Sequence, residues 1–187
     1  DFNGETLKEY LINETINIKT FLKIAINLSH TVGELHEVNI IHNDIKPSNI
    51  LINKTTLETK IIDFGISNQV QLNKINNTYE ETIHGTLIYM SPEQTGRINR
   101  NIDYRTDIYS LGITLYELLT GTVPYVSFEA IDIIHSHIAR TPTSPIEFDS
   151  TIPKIISEII MKVIAKSPED RYQSCYGLAA DLTNCLN

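Results

Sequence analysis

Residues 42–49 read His-Asn-Asp-Ile-Lys-Pro-Ser-Asn, and residues 63–65 read Asp-Phe-Gly. Between them lie two short runs rich in β-branched residues, at 50–52 and 60–62, with a polar stretch separating the runs. Two such runs joined by a few polar residues predict a β-hairpin. Because a hairpin folds the chain back on itself, we expect it to bring the two acidic stretches together.

Most of the remaining chain has a helical pattern. Apolar residues recur at helical spacing from about 18 to 38. Thr106 or Asp107 can cap a helix that runs to Thr120 and ends at Gly121. Further helices are predicted at 5–12, 127–139, 153–166 and 171–186. The sequence therefore predicts a mainly α fold with a small β-hairpin.

Bulk composition narrows the class of protein. A length of 187 residues suits one domain. The net charge of -8 argues against nucleic-acid binding, which takes a surplus of Lys and Arg. No apolar run is long enough to span a bilayer, and no signal peptide opens the chain. We therefore expect no nucleic-acid partner and no membrane insertion by this segment.

The two cysteines indicate the redox environment. Cys175 and Cys185 lie on one predicted helix, about 15 Å apart along its axis, which is too far for a disulfide. Unpaired thiols are typical of a reducing compartment. We expect a cytoplasmic protein.

Taken together, the two quoted stretches resemble the protein kinases, whose catalytic loop His-x-Asp-x-Lys-Pro-x-x-Asn precedes an Asp-Phe-Gly motif. Either stretch alone would be a weak signal, since short turns of this composition are common. On both, the chain is identified as a member of the eukaryotic-type serine/threonine protein kinases. The resemblance runs from about Asp1 to Leu186 and implies a protein-kinase-like fold. Residues 1–187 would be a partial kinase domain, the large C-terminal lobe only.

The resemblance implies transfer of the ATP γ-phosphate to Ser or Thr hydroxyls of proteins. Asp44 would take the proton of the substrate hydroxyl, and Lys46 would bring positive charge to the γ-phosphate. Asn49 and Asp63 would offer oxygen ligands to Mg²⁺. Such transfer depends mostly on positioning and charge stabilisation, so few groups suffice. His42 is expected to be structural and to pack beneath the loop.

Residues 85–93 read Gly-Thr-Leu-Ile-Tyr-Met-Ser-Pro-Glu. They resemble the substrate-docking strip and Ala-Pro-Glu motif of the family, with Ser91 in place of Ala. In that family a threonine matching Thr86 hydrogen-bonds the catalytic Asp and Lys. Thr86 is therefore a catalytic candidate, and together with Lys46 it implies Ser/Thr substrates.

Two later residues complete the resemblance. Asp107 opens a stretch similar to the start of the buried central helix of kinases, where an Asp would hold the catalytic-loop backbone from below. Arg171 matches the late arginine of the family, which pairs with a glutamate at Glu93. We expect that pair to be buried.

The most consequential departure from the family is the small lobe. No Gly-rich loop, strand lysine or helix glutamate occurs in the sequence. The adenine pocket would have only its floor, at Leu51, and its ribose edge, near Thr6. The chain opens at Asp1 with a stretch that resembles the segment after the hinge between lobes. We expect a fragment that binds ATP poorly and is inactive by itself.

Asn43 is a second departure, because many regulated kinases carry Arg there to pair with a phosphorylated activation loop. Phosphates on Thr78, Tyr79 or Thr82 would lack that partner, and the glutamates at 80–81 add like charge. Our hypothesis is that activity does not depend on phosphorylation of this loop.

Residues 91–100 read Ser-Pro-Glu-Gln-Thr-Gly-Arg-Ile-Asn-Arg, and residues 103–107 read Asp-Tyr-Arg-Thr-Asp. A solvated loop would account for these polar residues. They also resemble one subgroup, the large bacterial signalling proteins that join a Ser/Thr kinase domain to an ATPase module and a sensor histidine kinase. The subgroup implies further domains in the full-length chain.

Two other functions are open. A pseudokinase or scaffold would bind protein partners through the helical lobe without catalysis, although the intact Asp44, Lys46, Asn49 and Asp63 argue against decay of the site. A small-molecule kinase of related fold would act on choline or an aminoglycoside. Those relatives generally lack the docking strip, which argues against that alternative.

Overall fold

The structure, a computed structural model, describes residues 2–63 and 85–186. Its strands are β1 (Glu5–Thr6), β2 (Ile50–Ile52) and β3 (Thr59–Ile61). Its helices are α1 (Leu7–Asn13), α2 (Ile18–Glu37), α3 (Arg105–Thr120), α4 (Ala130–Ala139), α5 (Pro145–Phe148), α6 (Lys154–Val163) and α7 (Cys175–Leu186). The predictions for Phe64, Gly65 and residues 78–82 concern positions outside the described residues. A mainly α fold with a small antiparallel sheet is confirmed.

The sheet has the order β1-β2-β3, and both pairs are antiparallel. Strands β2 and β3 form the predicted hairpin, with Ile50 opposite Ile61. The prediction of a helix from residue 5 was wrong at its start, because Glu5–Thr6 pairs with β2 before α1 begins. A strand of two residues has no period that a sequence could display, and its pairing partner lies far along the chain.

Helix α3 lies at the centre of the fold. Twelve of its 16 residues are buried, so it is covered on most sides, as its apolar pattern predicted. It ends at Gly121, which takes the left-handed conformation with φ 72°, the usual role of glycine after a helix. Helix α3 packs against α2 and α6, and α2 packs along α7.

Several helices are shorter than the sequence predicted. Helix α4 begins at Ala130 rather than 127, because the hydroxyl of Ser127 accepts a bond from the Glu129 N–H and holds a turn there. Helix α7 begins at Cys175 rather than 171, because Arg171 is extended and reaches away to Glu93. None of the helices in the described residues is long and apolar enough to cross a bilayer.

Both cysteines are free, as predicted. Cys175 is buried in the core, and burial raises the pKa of its thiol to about 12. The thiolate is the reactive form of cysteine. Cys175 therefore acts as a small apolar side chain and not as a nucleophile.

Gly112 marks the closest approach of α3 to the end of α6. A Cβ at this position would lie 2.5 Å from Cγ1 of Val163 and 2.7 Å from Cγ2 of Ile164. We expect Gly112→Ala to lower the free energy of unfolding by about 1–3 kcal/mol, because the two helices must move apart. Urea unfolding measures this loss.

The matched control is Gly177→Ala in α7, where the added carbon would meet only Ser174 Oγ, at 3.3 Å, and Tyr172 Cδ1, at 3.8 Å. Its free energy of unfolding should change by less than about 1 kcal/mol. Equal stability of the two variants would contradict the close packing of α3 on α6.

Candidate active site

The Asp44 carboxylate is the centre of a hydrogen-bonded cluster. Lys46 Nζ donates to Asp44 Oδ2 at 2.8 Å and to Thr86 Oγ1 at 2.9 Å. Asn49 Nδ2 donates to the same Asp44 oxygen and to the Asp44 carbonyl, both at 2.9 Å. The structure thus brings together the four side chains that the sequence nominated as catalytic: Asp44, Lys46, Asn49 and Thr86.

The cluster is open to solvent on one side. The Asp44 side chain is 31% exposed and the Lys46 side chain is 14% exposed. Within residues 2–63 and 85–186, no hydrogen bond reaches Oδ1 of Asp44. That oxygen can therefore accept a hydrogen bond from an incoming hydroxyl, which is the geometry that a general base needs.

Asp107, in the first turn of α3, holds this loop in place. Its carboxylate accepts bonds from the backbone N–H of His42 at 2.8 Å and of Asn43 at 2.7 Å. His36 Nε2 contacts the same carboxylate at 2.9 Å, and Asp107 is completely buried. The expectation that Asp107 holds the catalytic-loop backbone is confirmed. Asn43 adopts a left-handed backbone with φ 64°, which Asn tolerates better than most residues.

The hairpin connects the loop to the second acidic stretch. The carbonyl of Ile62 lies 3.1 Å from His42 Nε2, and the Ile62 N–H donates to the carbonyl of Asn49 at 2.9 Å. His42 is buried beneath the loop, as expected for a structural residue. These bonds place the backbone of residue 63 beside the catalytic loop.

Asp63 itself is exposed, and its φ of 56° is left-handed. Such a backbone is uncommon for a residue other than glycine and is concentrated at functional sites. In the part of the chain that the structure describes, no hydrogen bond or ion pair engages the Asp63 carboxylate. The structure therefore places the backbone of Asp63 beside Asn49 without joining the two side chains.

Hard oxygen donors are the groups that Mg²⁺ prefers, and it keeps several waters of its own. Asn49 Oδ1 has one long contact, 3.5 Å from Ser48 Oγ, and the Asp63 carboxylate is exposed. Among the described residues, no three His, Cys, Asp or Glu side chains cluster as a metal site. The remaining donors are the amide oxygen of Asn49 and the carboxylate of Asp63. They fit a magnesium ion that is held by few protein groups.

The two residues proposed for the nucleotide pocket are neighbours in the sheet, where Thr6 pairs with Leu51. Leu51 is half-buried on β2. The Thr6 hydroxyl caps α1: it accepts from the Glu9 N–H at 3.2 Å and donates to Glu9 Oε2 at 2.8 Å. Thr6 thus already has a structural role as the cap of α1.

A buried ion pair supports the docking strip from below. Arg171 donates to Glu93 through both terminal nitrogens, at 2.7 and 2.8 Å, and Thr106 donates to Glu93 at 2.9 Å. Burial alone would raise the pKa of the Glu93 carboxyl, but the hydrogen bonds and charge of Arg171 outweigh it and hold that pKa below its usual value. The predicted buried pair of Glu93 and Arg171 is confirmed.

Helix α4 supports the strip from the other side. Leu87 and Met90 form a small apolar cluster with Ile133 and Ile134 of α4. His137 on the same helix lies 2.9 Å from the Tyr109 hydroxyl, and burial lowers the pKa of His137 to about 4. At neutral pH this histidine is therefore an uncharged member of the packing.

Two residues of the site were missed from sequence. His36 contacts Asp107, and Gln94 donates from Nε2 to the Asn43 carbonyl at 2.8 Å. Each has a partner far away in sequence, Asp107 for His36 and Asn43 for Gln94, and no local pattern indicates either of these contacts. The Ser91 and Gln94 spacing of a capping box was the one available signal for Gln94.

The family model for the protein kinase domain matches residues 2–182. The chain belongs to the protein kinase domain family. Hybrid signal transduction histidine kinase G of Dictyostelium discoideum is 34% identical to it over 234 residues, which cover 89% of this chain and 7% of that protein. Serine/threonine-protein kinase PknB of Mycobacterium tuberculosis is 31% identical over 186 residues, covering 99% of this chain and 29% of PknB.

A probable serine/threonine-protein kinase of Streptomyces coelicolor is 32% identical over 186 residues, covering 99% of this kinase chain and 27% of the relative. The crystal structure of the kinase domain of Mycobacterium tuberculosis PknI superposes with a TM-score of 0.72 at 18% identity. It covers 100% of this chain and 64% of the PknI chain, and it supports the kinase fold. The chain spans less than a third of the length of these curated relatives.

We expect Asp107→Asn to lower the free energy of unfolding of the kinase domain by about 1–3 kcal/mol. The amide would turn an N–H₂ group toward donors that now face a carboxylate, leaving a buried N–H without an acceptor. Urea unfolding of the variant beside the wild type gives the value. Asp149→Asn is the control and should stay within about 0.5 kcal/mol, because the residue is exposed and an Asn Oδ1 can keep the two bonds that Asp149 Oδ1 accepts from Thr151. A loss no larger than that of the control would contradict the role of Asp107.

Proposed function

We propose that this chain carries the phosphoryl-transfer residues of a serine/threonine protein kinase that acts on Ser or Thr hydroxyls of proteins in bacterial signalling. The observation that carries the proposal is the bridge made by Lys46, which contacts Asp44 at 2.8 Å and Thr86 at 2.9 Å. One ammonium group thereby links the candidate base to the strip that would present the substrate.

Each residue has a distinct part in the proposed reaction. Asp44 orients the substrate hydroxyl through its open oxygen and takes up its proton as the hydroxyl oxygen bonds to the γ-phosphorus of ATP and ADP leaves. Lys46 lies close enough to Asp44 to place its charge on the phosphoryl oxygens in transit, where the charge of a loose transition state resides. Asn49 and Asp63 would hold Mg²⁺, and MgATP supplies the phosphoryl group together with the cation that offsets its charge.

Thr86 supports the assignment to Ser/Thr substrates. Its hydroxyl holds Lys46 at 2.9 Å, which keeps the lysine beside Asp44 and close to the backbone of the docking strip. A short Ser or Thr side chain must bring the substrate backbone near Asp44, whereas a tyrosine hydroxyl reaches much further. Peptides that differ only in Ser, Thr or Tyr at the acceptor position test this directly.

Full activity would require a small lobe supplied by the rest of the protein. The Gly-rich loop and the strand lysine that hold ATP phosphates in kinases do not occur in residues 1–187. Leu51 and Thr6 would provide only the floor and the ribose edge of the adenine pocket. We expect these residues alone to bind ATP weakly and to transfer little phosphate.

The wider protein is proposed to join this domain to further signalling modules. The relative from Dictyostelium discoideum is named a hybrid signal transduction histidine kinase, and the match covers only 7% of it. The stretch of residues 91–107 supports the same kind of multidomain architecture. The free, buried Cys175 supports a reducing, cytoplasmic location.

We expect Asp44→Asn in the complete two-lobed domain to lower kcat by about 10²–10⁴-fold, because the amide cannot take up the proton. The measurement is radiolabelled phosphate incorporation into a Ser- or Thr-containing peptide at saturating MgATP. Asp149→Asn, which is remote from the cluster in sequence and lies at the surface, should retain wild-type kcat.

The two main functions give different outcomes in this assay. A kinase shows wild-type transfer that Asp44→Asn removes. A pseudokinase or scaffold shows equal background incorporation for wild type and Asp44→Asn, and that result would overturn the proposal.

We expect the double substitution Thr78→Ala and Thr82→Ala to leave kcat within about twofold of wild type. Asn43 offers no positive charge for a loop phosphate to pair with. The comparison uses the complete domain before and after phosphatase treatment. A loss of about tenfold or more, for the variant or for the treated wild type, would refute independence from loop phosphorylation.

A further inference from the structure

Gln94 joins the docking strip to the catalytic loop through both ends of its side-chain amide. Its Oε1 accepts the N–H of Ser91 at 2.9 Å, and its Nε2 donates to the carbonyl of Asn43 at 2.8 Å. Ser91 and Asn43 are 48 positions apart in sequence, so the bridge connects two separate segments of the site. Gln94 is half-buried, which shields both bonds from competing water.

The bond to Asn43 fixes the peptide unit that carries Asp44. A peptide bond is planar, so the Asn43 carbonyl and the Asp44 N–H share one rigid plane. The carbonyl end is held by Gln94, and the N–H end donates to His42 Nδ1 at 3.3 Å. With both polar ends held, the plane cannot rotate, and the direction in which the Asp44 side chain leaves the backbone is set.

The other end of the bridge is anchored in the core. Ser91 to Gln94 form a capping box at the start of a 3₁₀ turn. Glu93, inside that turn, is tied to Arg171 and to Thr106. The buried ion pair of Glu93 therefore fixes the backbone from which Gln94 projects. The Gln94 side chain can then hold the Asn43 carbonyl in a fixed position.

The contacts of Asn43 show that this loop is held through its backbone and not through the Asn43 side chain. Asn43 stands where regulated kinases carry an arginine, and its own Oδ1 is buried without a hydrogen-bond partner among the described residues. Within the same described residues, its Nδ2 makes one contact, of 3.4 Å, with the carbonyl of Ile41. The Asn43 side chain thus contributes little to holding the loop, and its backbone is held by Asp107 and Gln94 instead.

We propose that Gln94 is a positioning residue for the catalytic base, which sets the Asp44 peptide through neutral hydrogen bonds so that the loop is in its working geometry once the domain has folded. The inference rests on the proposed kinase function. In kinases that use an arginine at the position of Asn43, a phosphate on the activation loop pairs with that arginine and orders the site. Here the Gln94 amide bonds the Asn43 carbonyl in the folded domain, and no phosphate is needed.

Gln94→Glu separates this role from simple capping of the turn. Glutamate is the usual alternative at this position of a capping box, so the bond from Ser91 N–H is kept. Its carboxylate cannot donate to the Asn43 carbonyl, and two oxygens then face each other. Gln94→Met, of similar length, removes both bonds and serves as the second variant.

The experiment is steady-state kinetics of the complete two-lobed domain, wild type beside Gln94→Glu, Gln94→Met and the surface control Asp149→Asn. We expect both Gln94 variants to lower kcat by about 10- to 100-fold, the cost of a displaced catalytic group. The KM for MgATP should stay within about twofold, because the nucleotide ligands are untouched. Amide hydrogen exchange in a peptide spanning residues 41–46 should be faster in both variants.

The results that would overturn the inference differ from the result that would overturn the proposed function. A Gln94→Glu variant with wild-type kcat overturns the inference, as does a kcat loss that matches only the fraction of unfolded protein measured by circular dichroism. A loss in Gln94→Met alone assigns Gln94 to the cap of the turn and also overturns it. An inactive wild-type domain would overturn the proposed function itself, a result distinct from all of these.

Discussion

The site depends on one buried carboxylate. Asp107 is completely buried, and it accepts the backbone N–H groups of His42 and Asn43 together with a bond from His36. A buried carboxylate is stable only where hydrogen bonds replace its water. The catalytic loop supplies those bonds, so the loop and the start of α3 each satisfy the polar groups of the other. Asp44, Lys46 and Asn49 follow directly on the backbone that is held in this way.

The first turn of α3 contacts both the docking strip and the catalytic loop. Thr106 donates to Glu93 beneath the docking strip, and the next residue, Asp107, holds the catalytic loop. Gln94 then joins the strip to the loop directly. The three links form a closed arrangement in which the loop that carries Asp44 and Lys46 and the strip that carries Thr86 share one support. Preorganisation of this kind is the main contribution that a protein makes to phosphoryl transfer.

The sequence predicted the parts of the site that lie close together along the chain. Asp44, Lys46 and Asn49 fall within six residues, so one short motif sufficed for the kinase resemblance to single them out, and the hairpin signal brought residue 63 alongside. Helices with a sustained apolar period, α2 and α3, were also predicted nearly to their ends. Strand β1, the contact of His36 with Asp107 and the contact of Gln94 with Asn43 could not be found in this way, because each needs a partner that only the folded chain brings near. The early start predicted for α7 was wrong for the same reason, since Arg171 leaves the helix to pair with Glu93.

The central claim is that Asp44, Lys46, Asn49 and Asp63 form a single phosphoryl-transfer centre. A crystal structure of the complete two-lobed domain with Mg²⁺ and a non-hydrolysable ATP analogue tests it most directly. The account predicts that Asn49 Oδ1 and an Asp63 oxygen lie about 2.0–2.1 Å from magnesium, with Lys46 Nζ in hydrogen-bond contact with the γ-phosphate. A structure in which the Asp63 carboxylate points away from the bound nucleotide, and Lys46 contacts only Asp44 and Thr86, would contradict it.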